Sequence, residues 1–507
     1  MKARIASLIF SALTLTAGIV ACRGGVSQAI PPSFPANAAN ANLRVNHDST
    51  PSKSTIKHVV IVIQENRSFD NFFATFPGAD GTTTGKAKTM PSAVADACRS
   101  DGMPVITKPT SVPLTKVSLL GKGFPGNFGM DQDLDHIHTG YLLMMDHNKM
   151  DGWDVTKFGA NGEGTPTCTY SYQYVDPNEI KPYWDMATQY VLADHTFQTQ
   201  GSGSFTGHQD LIAAGTKISA SEALIDNPSY FPWGCDANDS VVTAVIKKGS
   251  QKVYPFGGPF PCLEYDTMRD LLDAKGVSWK FYAMPVQKES GCEHGDTAGI
   301  WSAFDAIKAV RYSDEWHTNV TRTNKAIFSD IDAGKLPAVS WITPDGVESD
   351  HPMERKHPPC QPGKGPLADS GPEWVASIVN AVGQSKYWNS TAVVVVWDDW
   401  GGFFDHVVPP LPRTWTGGPG FRVPMIIVSS RVKAHVEHTT YKFGSILRFI
   451  EENWGLGSLG QDDAHSNSIG NAFNLNMPPR RFHTIGSKLP KSYFLKQPPS
   501  YVAPDSE

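Results

Sequence analysis

The sequence predicts an α/β protein built on a mostly parallel, doubly wound sheet sandwiched by helices. Two observations carry this reading. First, His58-Val-Val-Ile-Val-Ile-Gln64 and Thr391-Ala-Val-Val-Val-Val-Trp397 are apolar at nearly every position, as in strands buried on both faces. Second, segments with apolar residues at helical spacing lie between these runs and weaker strand candidates, and such alternation implies helices on both sides of one sheet.

The weaker strand candidates are Tyr190–Ala193, Val277–Ala283, Ala338–Ile342 and Val423–Ser429. Helices are expected over Met268–Ala274, over Glu373–Val382 after Gly371-Pro372, and over Tyr441–Trp454. The last has Ile446, Leu447, Phe449 and Ile450 on one side and stops at Gly455. Gly/Pro-rich stretches 76–130 and 225–265 read as insertions or lids, and a Pro-rich tail from about 486 to 507 reads as wrapping the surface.

A chain of 507 residues, 40% hydrophobic and 19% charged, supports a large packed core and argues against disorder. Its net charge of -6 is spread without a basic stripe, which excludes nucleic acid as a regulatory partner. No internal repeat is found.

The N-terminus reads as a leader. Lys2 and Arg4 precede the apolar stretch Ile5 to Ala17, which is too short to span a bilayer comfortably. It ends in Ile19-Val20-Ala21-Cys22, which resembles a bacterial lipoprotein cleavage box. The expectation is a lipoprotein-type signal peptide over 1–21 and a lipid anchor at Cys22, with an ordinary signal peptide cut nearby as the alternative. Residues 22–55, rich in Ala, Ser, Asn and Pro, read as a flexible tether to a domain spanning 56–485. The protein is expected to be exported, either periplasmic or tethered to a membrane. Removing Cys22 from the seven cysteines leaves six, an even number that suggests disulfides in an exported protein. Cys235–Cys262 is the first pair expected, across a Gly/Pro-rich stretch. No CxxC or Cys/His cluster points to a zinc-thiolate site.

Both strong strands end in hard oxygen donors, Glu65-Asn66 and Asp398-Asp399, and ligands of open α/β sheets bind beyond the carboxyl ends of strands. If the strands are neighbours, three carboxylates and an amide converge, and such a cluster repels itself unless a cation neutralises it. Taken singly, each acid reads equally well as the cap of the following helix or turn.

The segment from His58 to Phe73 resembles the opening motif of the phosphoesterase family of bacterial phospholipases C and acid phosphatases. So do Ser349-Asp350-His351-Pro352, the run Trp397 to Pro410, Arg422-Val-Pro-Met425 and Ser445 to Glu451, over a span of about 56 to 475. This resemblance implies an alkaline phosphatase-like core and a metal-bound hydroxyl nucleophile. It implies Glu65, Asn66, Asp398 and Asp399 as metal ligands and Ser204, after a Gly-rich turn, as nucleophile and fifth ligand. Ser202 and Thr206 remain alternatives, because Thr206-Gly207 stand before His208 where many similar sequences have Pro-Asn before a basic residue. It also implies His136, His294 and His351 as groups that grip phosphoryl oxygens or protonate the leaving group. His138 is the weaker neighbour of His136, while His406 and His438 read equally well as residues that orient others.

The expected cofactor is one divalent cation, with Ca²⁺, Mg²⁺ or Mn²⁺ suiting oxygen ligands and zinc or iron as alternatives. The expected reaction is phosphomonoester hydrolysis of the acid phosphatase kind, through a metal-bound serine and a phosphoserine. The alternative is phospholipase C-type cleavage of phospholipid headgroups, so the partner is a small phosphoester or a phospholipid. Three features lean to the first: a Ser nucleophile, the absence of a twin-Arg signal, and little sequence beyond the core. No Gly-x-Ser-x-Gly occurs, which excludes a lipase elbow. A catalytically silent binding protein on the same fold is the reading from another class.

Overall fold

The computed structural model describes residues 55–125, 132–229, 233–283, 299–352, 370–410 and 418–499. Its centre is an eight-stranded sheet. The strands are β1 (His58–Gln64), β2 (Val191–Ala193), β3 (Trp279–Tyr282), β4 (Val320–Thr321), β5 (Val339–Ile342), β6 (Thr391–Trp397), β7 (Met425–Ser429) and β8 (His435–Glu437). They lie in the order β4-β3-β5-β1-β6-β7-β2-β8. β1 is parallel to both β5 and β6, and β3 to β4 and β5. β7 runs antiparallel to β6 and β2, and β8 is parallel to β2.

The two apolar runs thus form the central pair of strands, as their composition requires. Every residue of β6 is buried, and so is every residue of β1 after His58. Fully burying one such Val or Ile contributes on the order of 1.5–3 kcal/mol, so the centre of the sheet is the most costly place to introduce polarity.

The helices that position the site are α1 (Phe69–Phe73), α2 (His138–Met145), α3 (Lys181–Gln189), α4 (Ser204–Ala213), α5 (Met268–Ala274), α6 (Gly371–Gly383) and α7 (Phe443–Trp454). α7 ends where Gly455 takes φ 58, the left-handed conformation that closes a helix. The sheet register shows that helices cover both faces. Ile61 pairs with Trp341 and Gln64 with Trp397, and positions three apart on a strand point to opposite faces. Trp341 donates its Nε1–H to the Leu211 carbonyl of α4 at 3.0 Å, whereas Trp397 packs on Tyr183 of α3, centroids 4.9 Å apart. α7 packs with α4, and α6 with α3.

Short paired strands occur in and next to the stretches expected to be insertions or lids. Thr84–Ala87 pairs with Thr110–Pro113, and Glu222–Ile225, Ala244–Lys247 and Val253–Tyr254 form a small antiparallel sheet. Disulfides join Cys235 to Cys262, as expected, and Cys98 to Cys168. Cys292 and Cys360 lie outside the described residues, as do the expected leader, Cys22 and nearly all of the expected tether. The tail packs through buried Phe494 against Trp374 of α6. Among the described residues no helix is long and apolar enough to cross a membrane.

Candidate active site

Because β1 and β6 are parallel neighbours, their carboxyl ends open side by side. Gln64 lies opposite Trp397, and the Asp398 N–H donates to the Gln64 carbonyl at 3.0 Å. The residues that follow, Glu65-Asn66 and Asp398-Asp399, therefore meet, and all four are fully buried. Asn66 has φ 57, a region Asn enters more readily than most residues, and its N–H donates to Asp398 Oδ1 at 3.2 Å. The Asp399 N–H donates to the same oxygen at 2.8 Å. Gly401 has φ +60, and a Cβ there would overlap the Asn66 carbonyl, so the turn after Asp399 needs glycine. Its N–H donates to Asp399 Oδ1 at 2.6 Å.

The hydroxyl comes from α4. This helix is buried along its whole length and starts at Ser204, after the Gly-rich stretch. Ser204 Oγ donates to Asp399 Oδ2 at 3.0 Å and lies 3.5 Å from Asn66 Oδ1. Ser202 and Thr206 turn away: Thr206 Oγ1 donates to Ser202 Oγ at 2.6 Å, and Ser202 Oγ to Asp226 Oδ1 at 3.2 Å. Of the three hydroxyls left open by the sequence, Ser204 is the one that meets the strand ends. Its place in the first turn of α4 also brings the positive end of the helix dipole to the cluster, which favours an anion there.

His208, one turn further along α4, has no place in the residue set expected from sequence. Its Nε2 lies 2.9 Å from Glu65 Oε1 and 3.7 Å from Asp398 Oδ2. The signal was its spacing of four from Ser204, which a helix converts into one shared face, but the Gly-rich sequence reads as a loop. Gly207 lets this face come close, since a Cβ there would stand 2.8 Å from the Asp398 carbonyl oxygen.

His136 and His351 border the same cluster. His136 Nδ1 lies 2.6 Å from the Leu134 carbonyl, which only accepts, so Nδ1 carries the hydrogen. That leaves Nε2 facing the Asn66 amide nitrogen at 3.2 Å and Asp399 Oδ2 at 4.0 Å. His136 thereby turns the Asn66 amide so that Oδ1 faces Ser204. His351 is carried by the loop after β5, which is tied to β1 where Glu65 N–H donates to the Ser349 carbonyl at 2.9 Å and Arg67 Nε donates to that of Asp350 at 2.7 Å. His351 Nδ1 lies 2.6 Å from the Pro352 carbonyl, and its ring lies 6.3 Å from that of His136. Burial pushes the Asp350 carboxyl up to about 7 and the Asp135 carboxyl, beside His136, up to about 7.

His138, His406 and His438 have other partners. His138 is held by the Gly201 carbonyl at 2.7 Å and Gln251 at 3.0 Å. His406 Nδ1 bonds Asp70 at 2.6 Å, and His438 Nδ1 lies 2.9 Å from Asp194. Burial alone would lower the His406 pKa, but the hydrogen bond and the charges of Asp70 and Asp405 raise it. His294 lies outside the described residues.

Among the described residues, the acids that follow β1 and β6 fall into two clusters, and these differ in how their charge is met. Asp70 and Asp405 share the buried Arg422, whose Nε donates to Asp405 Oδ1 at 2.9 Å and whose Nη2 donates to Asp405 Oδ2 at 3.1 Å and Asp70 Oδ1 at 3.4 Å. In the other, Asp398 Oδ2 is buried and accepts no hydrogen bond among the described residues. Ligand atoms of Glu65, Asp398 and His208 lie within 4.8 Å of one another. Three buried carboxylates, an amide oxygen and a hydroxyl make a hard donor set that fits a divalent cation.

The chain matches the Phosphoesterase family model over residues 56–457. It is similar to phospholipase C A of Mycobacterium tuberculosis, 24% identical over 479 residues that cover 86% of this chain and 81% of that protein. It is also similar to phospholipase C B of the same organism, 26% identical over 460 residues that cover 84% and 78%. Among solved structures it is similar to a protein in the alkaline phosphatase superfamily from Vibrio parahaemolyticus, with 10% identity and a TM-score of 0.32, covering 75% of this chain and 80% of that one.

Proposed function

The chain belongs to the Phosphoesterase family, and from that premise we propose that it is a metal-dependent phosphoester hydrolase in which Ser204 is the nucleophile. The observation that carries this is the Ser204 hydroxyl, 3.0 Å from Asp399 Oδ2 at the buried meeting point of Glu65, Asn66, Asp398 and Asp399. Those four residues and Ser204 would hold the cation. When bound, it supplies a lowered hydroxyl pKa and a counter-charge for the phosphoryl oxygens.

Each residue has work of its own. Asp399 accepts the Ser204 hydrogen bond and aims the oxygen. His136 fixes the Asn66 amide. The first turn of α4 offers the positive end of its dipole to the phosphoryl group. As Ser204 Oγ passes its proton to Asp399 Oδ2, the acceptor of its hydrogen bond, it attacks phosphorus in line, the P–O bond to the leaving alcohol breaks, and a phosphoserine forms that water then hydrolyses. His351, whose Nδ1–H donates to the Pro352 carbonyl, carries a second proton on Nε2 in its imidazolium form and gives that proton to the leaving oxygen.

The monoester reading, of acid phosphatase character, rests on the serine nucleophile. A second reading, phospholipase C-type cleavage of phospholipid headgroups, is favoured by the similar phospholipases C. Phosphate release from p-nitrophenyl phosphate, compared with phosphocholine release from phosphatidylcholine, separates the two. Ser204→Ala should abolish whichever turnover is found, and retention of most of it would remove Ser204 from the chemistry.

A further inference from the structure

Ser204 and His208 leave α4 on one side, one turn apart, and divide the strand-end groups between them. Ser204 meets Asn66 and Asp399, while His208 meets Glu65 and Asp398. A carboxylate oxygen only accepts, so at 2.9 Å from Glu65 Oε1 it is His208 Nε2 that carries the hydrogen. The ring is fully buried and lies nearly parallel to Trp301, at 21° with centroids 6.4 Å apart, which limits its orientations. Gly207 seats this turn of the helix against the Asp398 carbonyl.

Resting on the cation-site reading above, we propose that His208 is a positioning residue for that site. Its Nε2–H holds Glu65 Oε1 and faces Asp398 Oδ2, so one imidazole sets the separation of two carboxylates that hang from neighbouring strands. Carboxylates already fixed lose less freedom when they take up a cation, and residues that orient ligands in this way typically govern affinity. His208 acts through Glu65 and Asp398, which distinguishes it from a satisfied core histidine. A core histidine would change stability when replaced but would leave cation affinity unchanged.

The test is calorimetric titration of the full-length chain, freed of metal by a chelator, with Mn²⁺, alongside thermal melts of the same samples. His208→Phe keeps the ring shape and removes the donor, and it should lower Mn²⁺ affinity roughly 10–100-fold. His208→Gln returns an N–H donor at similar reach and should recover most of that loss. If His208→Phe does not fold, His208→Asn, too short to reach Glu65, takes its place and should show the loss. Equal affinity in wild type and the donor-less variant, or equal loss with Gln and with Phe or Asn, would overturn the proposal. Asp398→Asn is the control. If it alone loses Mn²⁺, the inference about His208 fails and the cation site stands. If it too binds like wild type, the cation site fails and the inference falls with it.

Discussion

Replacing Gly207 by alanine separates stability from site geometry. Gly207 lies inside a helix, where alanine alone would stabilise by about 1 kcal/mol. The added Cβ would stand 2.8 Å from the Asp398 carbonyl oxygen, against about 3.5 Å for an unstrained contact. Relieving the clash moves α4 or the strand end by about 0.7 Å, the difference between those two distances. Overpacking of this kind costs roughly 1–3 kcal/mol, so the net loss of stability should be small, about 0–2 kcal/mol. The loss of function should be larger. Ser204 and His208 flank Gly207 on the same helix, and a misplacement near 1 Å at reacting groups costs on the order of 100-fold. Gly207→Ala should therefore remain folded at assay temperature while kcat/KM on p-nitrophenyl phosphate drops roughly 10–100-fold, with cation affinity falling alongside. Urea denaturation and steady-state kinetics on one preparation measure both. Native turnover in a protein of native stability would refute the close seating of α4 on Asp398, as would a drop in activity no greater than the drop in folded fraction.

Two further outcomes follow from buried charges away from Ser204. Arg422→Met leaves the buried Asp405 and Asp70 without their guanidinium and should cost about 3–5 kcal/mol in urea denaturation; an unchanged midpoint would contradict the assignment of Arg422 as their counter-charge. Burial, reinforced by Asp463, pushes Glu451 up to about 9. A carboxyl raised on folding contributes stability that is fully present below its unfolded pKa, near 4.5, and lost as pH rises toward 9. The slope is at most about 1.4 kcal/mol per pH unit. Glu451→Gln should therefore melt higher than wild type at pH 8, with the gap narrowing toward pH 5, and a gap independent of pH would contradict this.

The two central strands were legible to the residue because both faces are buried and their composition is uniform. The same uniformity hid direction: Met425–Ser429 reads like its neighbours, yet it runs against them. β4 and β8 escaped notice because strands of two or three residues carry no period, and β8 is partly exposed. At the site, the oxygen groups were legible from their position after those strands. Ser204 could not be separated from Ser202 and Thr206 until the buried helix beginning at Ser204 gave each hydroxyl a direction. That helix starts directly after Gly201-Ser202-Gly203, whose local preference is for a turn, and holds Gly207 in its own first turns, yet tertiary burial keeps it helical. His208 was hidden for the same reason, since its partnership with Glu65 exists only once the stretch is helical.

As the proposed nucleophile, Ser204 forms the covalent bond to phosphorus. The most direct measurement is acid quenching of the enzyme during turnover of a ³²P-labelled phosphoester, followed by peptide mapping. An acid-stable phosphoryl group is expected on the peptide that contains Ser204, and it should be absent from Ser204→Ala. Label on another residue, or full turnover with no labelled protein at any quench time, would contradict it.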